Sequence, residues 1–136
     1  MFIQSFDSTS LEDAWVDGED SARWRSAAGH GPDGGAAASG SSLLEIGAGC
    51  RLPRHTDSAE ETIVVLAGEG VVTVGRDKRP VRAGAIVLVP VGVPHDIRNA
   101  GGATLRFVAV YAGIDVVTTY EDEVQPGGSH ERRPLG

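Results

Sequence analysis

The sequence predicts an all-β domain, a sandwich or barrel of short strands. Three observations carry that prediction. From Ser41 onward, short apolar runs alternate with turn residues, at the spacing of a multi-stranded β architecture. No segment sustains the 3.6-residue apolar period that an amphipathic helix shows. Finally, 19 glycines and 7 prolines supply the turns that many short strands need.

In chain order, Phe2, Ile3 and Phe6 suggest a short strand, and Ser10 with Asp13 forms a weak capping pair for a helical turn. Residues 19–28 are polar around Trp24 and read as an edge strand. Residues 29–40, GHGPDGGAAASG, are rich in breakers and form a long loop, of the kind that is either mobile or functional. Strands are expected over 43–46, 62–67, 71–74, 85–89, 96–99, 104–111 and 115–120. Turns are expected at Gly68-Glu69-Gly70, Gly75-Arg76-Asp77-Lys78 and Ala100-Gly101-Gly102. Residues 121–136 are polar and contain Pro126 and Pro134, so they read as a flexible tail. The expected organisation is an N-terminal arm and Gly-rich loop over 1–40, a β-barrel over 41–120 and a tail over 121–136.

A length of 136 residues points to one domain able to fold without disulfides, and the single Cys50 cannot form an internal bridge. A buried, inert thiol is the expected state of Cys50. No apolar run approaches the roughly 18 residues of a membrane span. The first residues lack the basic-then-apolar pattern of a signal peptide, so a cytoplasmic location is expected. A net charge of −7 disfavours nucleic-acid binding, which needs a positive field.

Two glycine-framed segments hold the histidines of the β region. The first runs Gly49-CRLPR-His55-Thr-Asp57-SAE-Glu61-TIVVLA-Gly68; the second runs Gly84-AIVLV-Pro90-Val-Gly92-VP-His95-DIR-Asn99. On a strand, His55 and Asp57 share a face, as do His95, Ile97 and Asn99. Glu61 opens a strand whose Ile63, Val65 and Ala67 share its face. If the two segments pair, His55, Asp57, Glu61 and His95 converge in the interior. Two imidazoles with carboxylates make a mixed N/O donor set, suited to Fe, Mn, Ni, Cu or Zn better than to Ca or Mg. Burying these groups without a metal is costly unless they are paired or protonated.

These segments resemble the two motifs of the cupin superfamily, Gly-x5-His-x-His-x(3–4)-Glu-x6-Gly and Gly-x5-Pro-x-Gly-x2-His-x3-Asn. One fixed position departs: Asp57 stands where the family has its second histidine. The resemblance spans roughly residues 41–112 and implies a jelly-roll barrel, the double-stranded β-helix of a small single-domain cupin. It implies His55, Glu61 and His95 as metal ligands, with Asp57 in the fourth place. Asp57 is also compatible with orienting a histidine or acting as a general base. Loss of the metal with retention of the fold is the competing reading.

Further candidates lie on 104–111, where Leu105, Phe107, Ala109 and Tyr111 share one face and Arg106, Val108 and Val110 the other. If the first face is inside, Tyr111 offers a hydroxyl to substrate; if the second is, Arg106 binds a carboxylate. His30 and His130 read as solvated surface residues, Glu60 as a surface charge, and Trp15 and Trp24 as packing or dimer residues. Ile63, Val65, Ile97 and Val87 or Leu88 are expected to line the interior. The run 62–67 is apolar on both faces, so its outer side needs a cover, compatible with a homodimer. The expected function is a metal-dependent enzyme acting on a small organic molecule, with a lean from the resemblance towards dioxygenase-like chemistry. The alternative is a non-catalytic small-molecule binding module, metal-free in one version.

Overall fold

Alternation of inward and outward side chains becomes strand structure along most of the chain. The computed structural model describes Met1–Gly136. The strands are β1 (Glu12–Val16), β2 (Glu19–Ala28), β3 (Gly40–Ile46), β4 (Arg51–Asp57), β5 (Glu61–Ala67), β6 (Glu69–Val74), β7 (Asp77–Arg82), β8 (Ile86–Val89), β9 (His95–Asn99), β10 (Leu105–Tyr111), β11 (Thr118–Val124) and β12 (Ser129–Arg132). They form two six-stranded antiparallel sheets, in the orders β1-β2-β3-β10-β5-β8 and β12-β11-β4-β9-β6-β7. The sheets face each other as a jelly roll whose outer strands leave edges, rather than closing into one continuous barrel. Between them lies one core, with Phe107, Ile46, Ile63, Leu105 and Val89 fully enclosed.

Cross-strand register aims the polar residues of interest at one place. In one sheet Tyr120 pairs with His55, and His55 with His95. In the other, Tyr111 pairs with Glu61. The two rows look at each other across the sandwich. The glycine-framed segments are also stitched together, because Gly92 N–H donates to Asp57 O (3.0 Å) and Asn99 N–H to Cys50 O (3.0 Å). Gly68, at φ +85°, allows the tight passage from β5 to β6; a Cβ there would lie 2.7 Å from Thr104 O.

Several expectations shift at the ends of the chain. Phe2 and Ile3 form no strand, and Phe6–Ser8 is a single 3-10 turn. The Ser10/Asp13 pair caps no helix; Glu12–Val16 is a strand because it pairs with β2 from Glu12↔Ser26 to Trp15↔Arg23. Strand 19–28 is therefore covered by β1 and is not an edge. Asp77 and Lys78, expected in a turn, open β7, the exposed partner of β6. The late strand starts at Thr118 rather than at Asp115. Residues 121–136, expected as a flexible tail, complete β11 and form β12. Ser42 Oγ then donates to Pro134 O (3.3 Å), and Leu135 lies over Gly40.

Candidate metal centre

The inner face of β10 is Leu105, Phe107, Ala109 and Tyr111, all buried. Tyr111 therefore faces the interior. Arg106 points outward, where it pairs with Asp7 (3.0 Å) and Glu45 (3.5 Å) and lies over the Phe6 ring, so it has no part in the site. Ile63, Val65 and Ile97 are buried as expected; of the alternatives on β8, Val87 packs on the core and Leu88 is exposed. Glu60 is exposed, and Cys50 is a half-buried free thiol. His130 is exposed. His30 is half-buried instead of solvated, its ring held between Ser41 Oγ (2.8 Å) and Ser39 Oγ (2.9 Å).

His55, Asp57, Glu61 and His95 are all buried and converge between the sheets. One donor atom each from His55, Asp57 and His95 lies within 4.8 Å of the others. Glu61 joins through His95, its Oε1 2.9 Å from His95 Nε2. Asp57 Oδ2 is 3.2 Å from His95 Nε2 and 3.9 Å from His55 Nε2. The aspartate's Oδ2 thus faces both imidazoles.

Both rings are oriented from behind. His55 Nδ1–H donates to Pro53 O (2.7 Å) and His95 Nδ1–H to Val93 O (2.9 Å), a pairing that turns each Nε2 towards the cluster. Thr118 Oγ–H donates to Asp57 Oδ1 (2.5 Å) and leaves Oδ2 facing inward. Asp57 Oδ2, Glu61 Oε1 and His95 Nε2 are then buried without an aligned hydrogen-bond partner, despite their short approaches. Two carboxylate oxygens converging on one imidazole nitrogen are costly in a protein interior unless a shared proton or a metal binds them. This is the observation by which the residues fit a divalent metal. Asn99 serves the frame instead: its amide donates to Ile46 O and Ala103 O and accepts from Gly101 N–H.

The electrostatics show the strain of crowding these groups together. Burial, aided by the neighbouring His95, lowers the His55 pKa to about 4. Burial pulls His95 the same way, but the Asp57 and Glu61 carboxylates outweigh it and raise the pKa to about 10. Burial pushes Asp57 up, yet His95, His55 and Thr118 hold it below its usual value. Glu61 is raised by burial and by the charge of Asp57. Tyr111 and Tyr120 are both raised, first by burial and then by the carboxylates, so their hydroxyls keep their protons.

The cluster opens on one side to a cavity of about 410 Å³ that His55, Glu61, Tyr111, Thr118 and Tyr120 line, with Trp24, Leu44 and Leu52 as apolar wall. Trp24 is buried and stacks on Tyr120 at 5.4 Å between ring centroids, so it is a cavity wall as well as a packing residue. Thr118, Tyr120 and Arg132 also line the cavity, and sequence reasoning singled out none of them. The two-residue spacing of Thr118 and Tyr120, opposite Asp57 and His55, was the available signal.

No helix is long and apolar enough to cross a membrane. Among solved structures, a predicted oxalate decarboxylase from Thermotoga maritima superposes with a TM-score of 0.71 at 22% identity, over 83% of this chain and 99% of that one. A putative sugar phosphate isomerase from Acidithiobacillus ferrooxidans gives 0.66 at 25% identity, over 88% and 79%. Oxalate decarboxylase from Bacillus subtilis gives 0.67 at 16% identity, over 79% and 30%. At these identities the likeness speaks for the fold. In sequence, the chain is 30% identical over 66 residues to the uncharacterised protein MJ1618 of Methanocaldococcus jannaschii. That match covers 48% of this chain and 52% of the relative, so the chain spans about half of that protein's length. Residues 42–111 match the family profile described as a cupin domain. That span runs from β3 to the end of β10 and contains both glycine-framed segments and every residue of the cluster: the chain belongs to the cupin family.

Proposed function

We propose that the chain is a metal-dependent enzyme acting on a small organic molecule, with His55, Asp57, Glu61 and His95 as ligands of a divalent transition metal. The supporting observation is the convergence of Asp57 Oδ2 and Glu61 Oε1 on His95 Nε2, buried between the sheets beside a cavity that His55 and Glu61 line. A metal there supplies Lewis-acid polarisation of a bound oxygen or, if redox-active, dioxygen activation. The chain's own residues do the rest. The carbonyls of Pro53 and Val93 hold both imidazoles in the ligating tautomer. Trp24, Leu44 and Leu52 give part of the wall an apolar surface. Tyr111 and Tyr120 offer protonated hydroxyls for orienting a substrate oxygen or donating a proton. Dioxygenase-like chemistry is the finer reading, and it comes from family analogy. The metal-free binding module is the weaker reading: a protonated His95 would hold both carboxylates, but the His55, Asp57 and His95 cluster with both Nε2 atoms turned inward would then have no use.

Elemental analysis of tag-free protein beside His55→Ala and His95→Ala tests the proposal. Near-stoichiometric Fe, Mn, Ni, Cu or Zn, lost in both variants, is expected. Oxygen-electrode assays with candidate substrates then separate dioxygenase from isomerase or lyase chemistry. A protein without metal after anaerobic reconstitution overturns the proposal. On the same footing stand a cytoplasmic location and a second copy of the chain as partner.

A further inference from the structure

We propose that Arg132 anchors the ligand of this cavity and that the ligand is a small organic carboxylate carrying one net negative charge. The inference rests on the metal-site reading and adds the class of molecule that the site takes.

Arg132 ends β12 and lines the same cavity as His55, Glu61 and Tyr111. Its Nη2 donates to Val124 O (3.1 Å) and Pro126 O (2.5 Å), so the β11–β12 hairpin fixes the guanidinium. It makes no other hydrogen bond, and its Nε is buried without a partner. No carboxylate lies within ion-pair distance. Arg25, Arg51, Arg54, Arg106 and Arg133 each face at least one, and Arg23, Arg76, Arg79, Arg82 and Arg98, which face none, are exposed, whereas Arg132 is half-buried. Two backbone carbonyls solvate a guanidinium but do not neutralise it, and an uncompensated, partly buried cation is costly.

The charge count points the same way. Asp57 and Glu61 balance a divalent metal, and Arg132 then remains as an unpaired positive charge on the wall. An anion of one charge completes the balance. A carboxylate suits the planar guanidinium, and Trp24, Leu44 and Leu52 suit an apolar body behind it. Arg98 is exposed on β9 and lies outside the cavity lining, so it is the internal control.

The test uses the full chain, reconstituted with Mn²⁺, as wild type, Arg132→Gln, Arg132→Lys and Arg98→Gln. Calorimetric titrations use acetate, pyruvate and benzoate as probes, each beside its neutral amide. Metal content is measured on the same samples. Wild type is expected to prefer carboxylates to amides, with the preference weakening as salt rises. Arg132→Gln should lose about tenfold or more in carboxylate affinity, as for loss of a charged hydrogen bond. Arg132→Lys should restore part of it and Arg98→Gln should change nothing, with Mn²⁺ content equal throughout. No carboxylate preference in wild type overturns the inference, and that comparison needs no variant to fold. Equal affinity in folded Arg132→Gln overturns it too. Wild type lacking metal overturns the metal reading instead, and the carboxylate-to-amide ratio still decides the role of Arg132.

Discussion

Thr118 decides which oxygen of Asp57 stays available. By taking Oδ1 at 2.5 Å it fixes the carboxylate and leaves Oδ2 to face both imidazoles. Removing the hydroxyl while keeping the shape, in Thr118→Val, should weaken metal affinity about 10–100-fold, and Asp57→Ala should weaken it more. Chelator competition measures both: equal affinity in wild type and Asp57→Ala would show that Asp57 is not a ligand, and equal affinity in Thr118→Val that its hydroxyl does not position Asp57. The histidines make a second prediction, in metal-free protein. The raised pKa of His95, about 10 against an ordinary 6.5, contributes stability that is complete below about pH 6.5 and lost as pH rises through about 10. The lowered pKa of His55, about 4, contributes stability that is present above about pH 6.5 and lost as pH falls towards 4. The melting temperature of the metal-free protein should therefore fall between about pH 7 and about pH 10. The metal-loaded protein should not follow it down, because a ligating His95 Nε2 carries no proton. The gain in melting temperature on adding metal should widen over that range, and a constant gain would contradict the assignment of His95.

Asn99, at the end of β9, shows how an element is held in place. Its side chain makes three hydrogen bonds, to Ile46, Ala103 and Gly101, and it is buried. Asn99→Ala strands two backbone carbonyls and the Gly101 N–H and should cost about 3 kcal/mol. A lower denaturation midpoint at unchanged slope measures that, and metal stoichiometry should survive, because Asn99 does not reach the cluster. The same residue explains why this part of the fold was legible. In the two glycine-framed segments each fixed residue answers a local need: Gly68 a positive φ, Asn99 a crossing of strands, the histidines a shared face. Local needs leave local signals. The N-terminal strands leave weaker ones. Glu12–Val16 is held by pairing with β2, and only tertiary contact makes a strand of so acidic a segment. β12 reads as tail because its residues are polar, and Arg132 was hidden with it. The convergence of the four side chains was therefore readable, while the cavity lining supplied by Thr118, Tyr120 and Arg132 was not.

The two sheets bury their inner faces against each other, and one outer face stays apolar. On β5 and β8, Leu66, Ile86 and Leu88 are 49%, 72% and 58% exposed, and Val64 sits opposite Ile86 in register. β8 is also the last strand of its sheet, so an open backbone edge adjoins the apolar face. An exposed edge beside exposed aliphatic side chains invites association, and a second copy of the same chain supplies matching surface by two-fold symmetry. Light scattering should accordingly give a species of twice the 14.1 kDa chain. The double variant Ile86→Glu, Leu88→Glu should run as a monomer, since each interface would then bury two uncompensated carboxylates per chain. Both side chains point away from the cluster, and the four proposed ligands come from a single chain, so the monomeric variant should bind as much metal as wild type. A wild type that is monomeric at high micromolar concentration would contradict the dimer. A variant that lost metal on dissociating would mean instead that the jelly roll needs its partner to hold β5, and with it Glu61, in place.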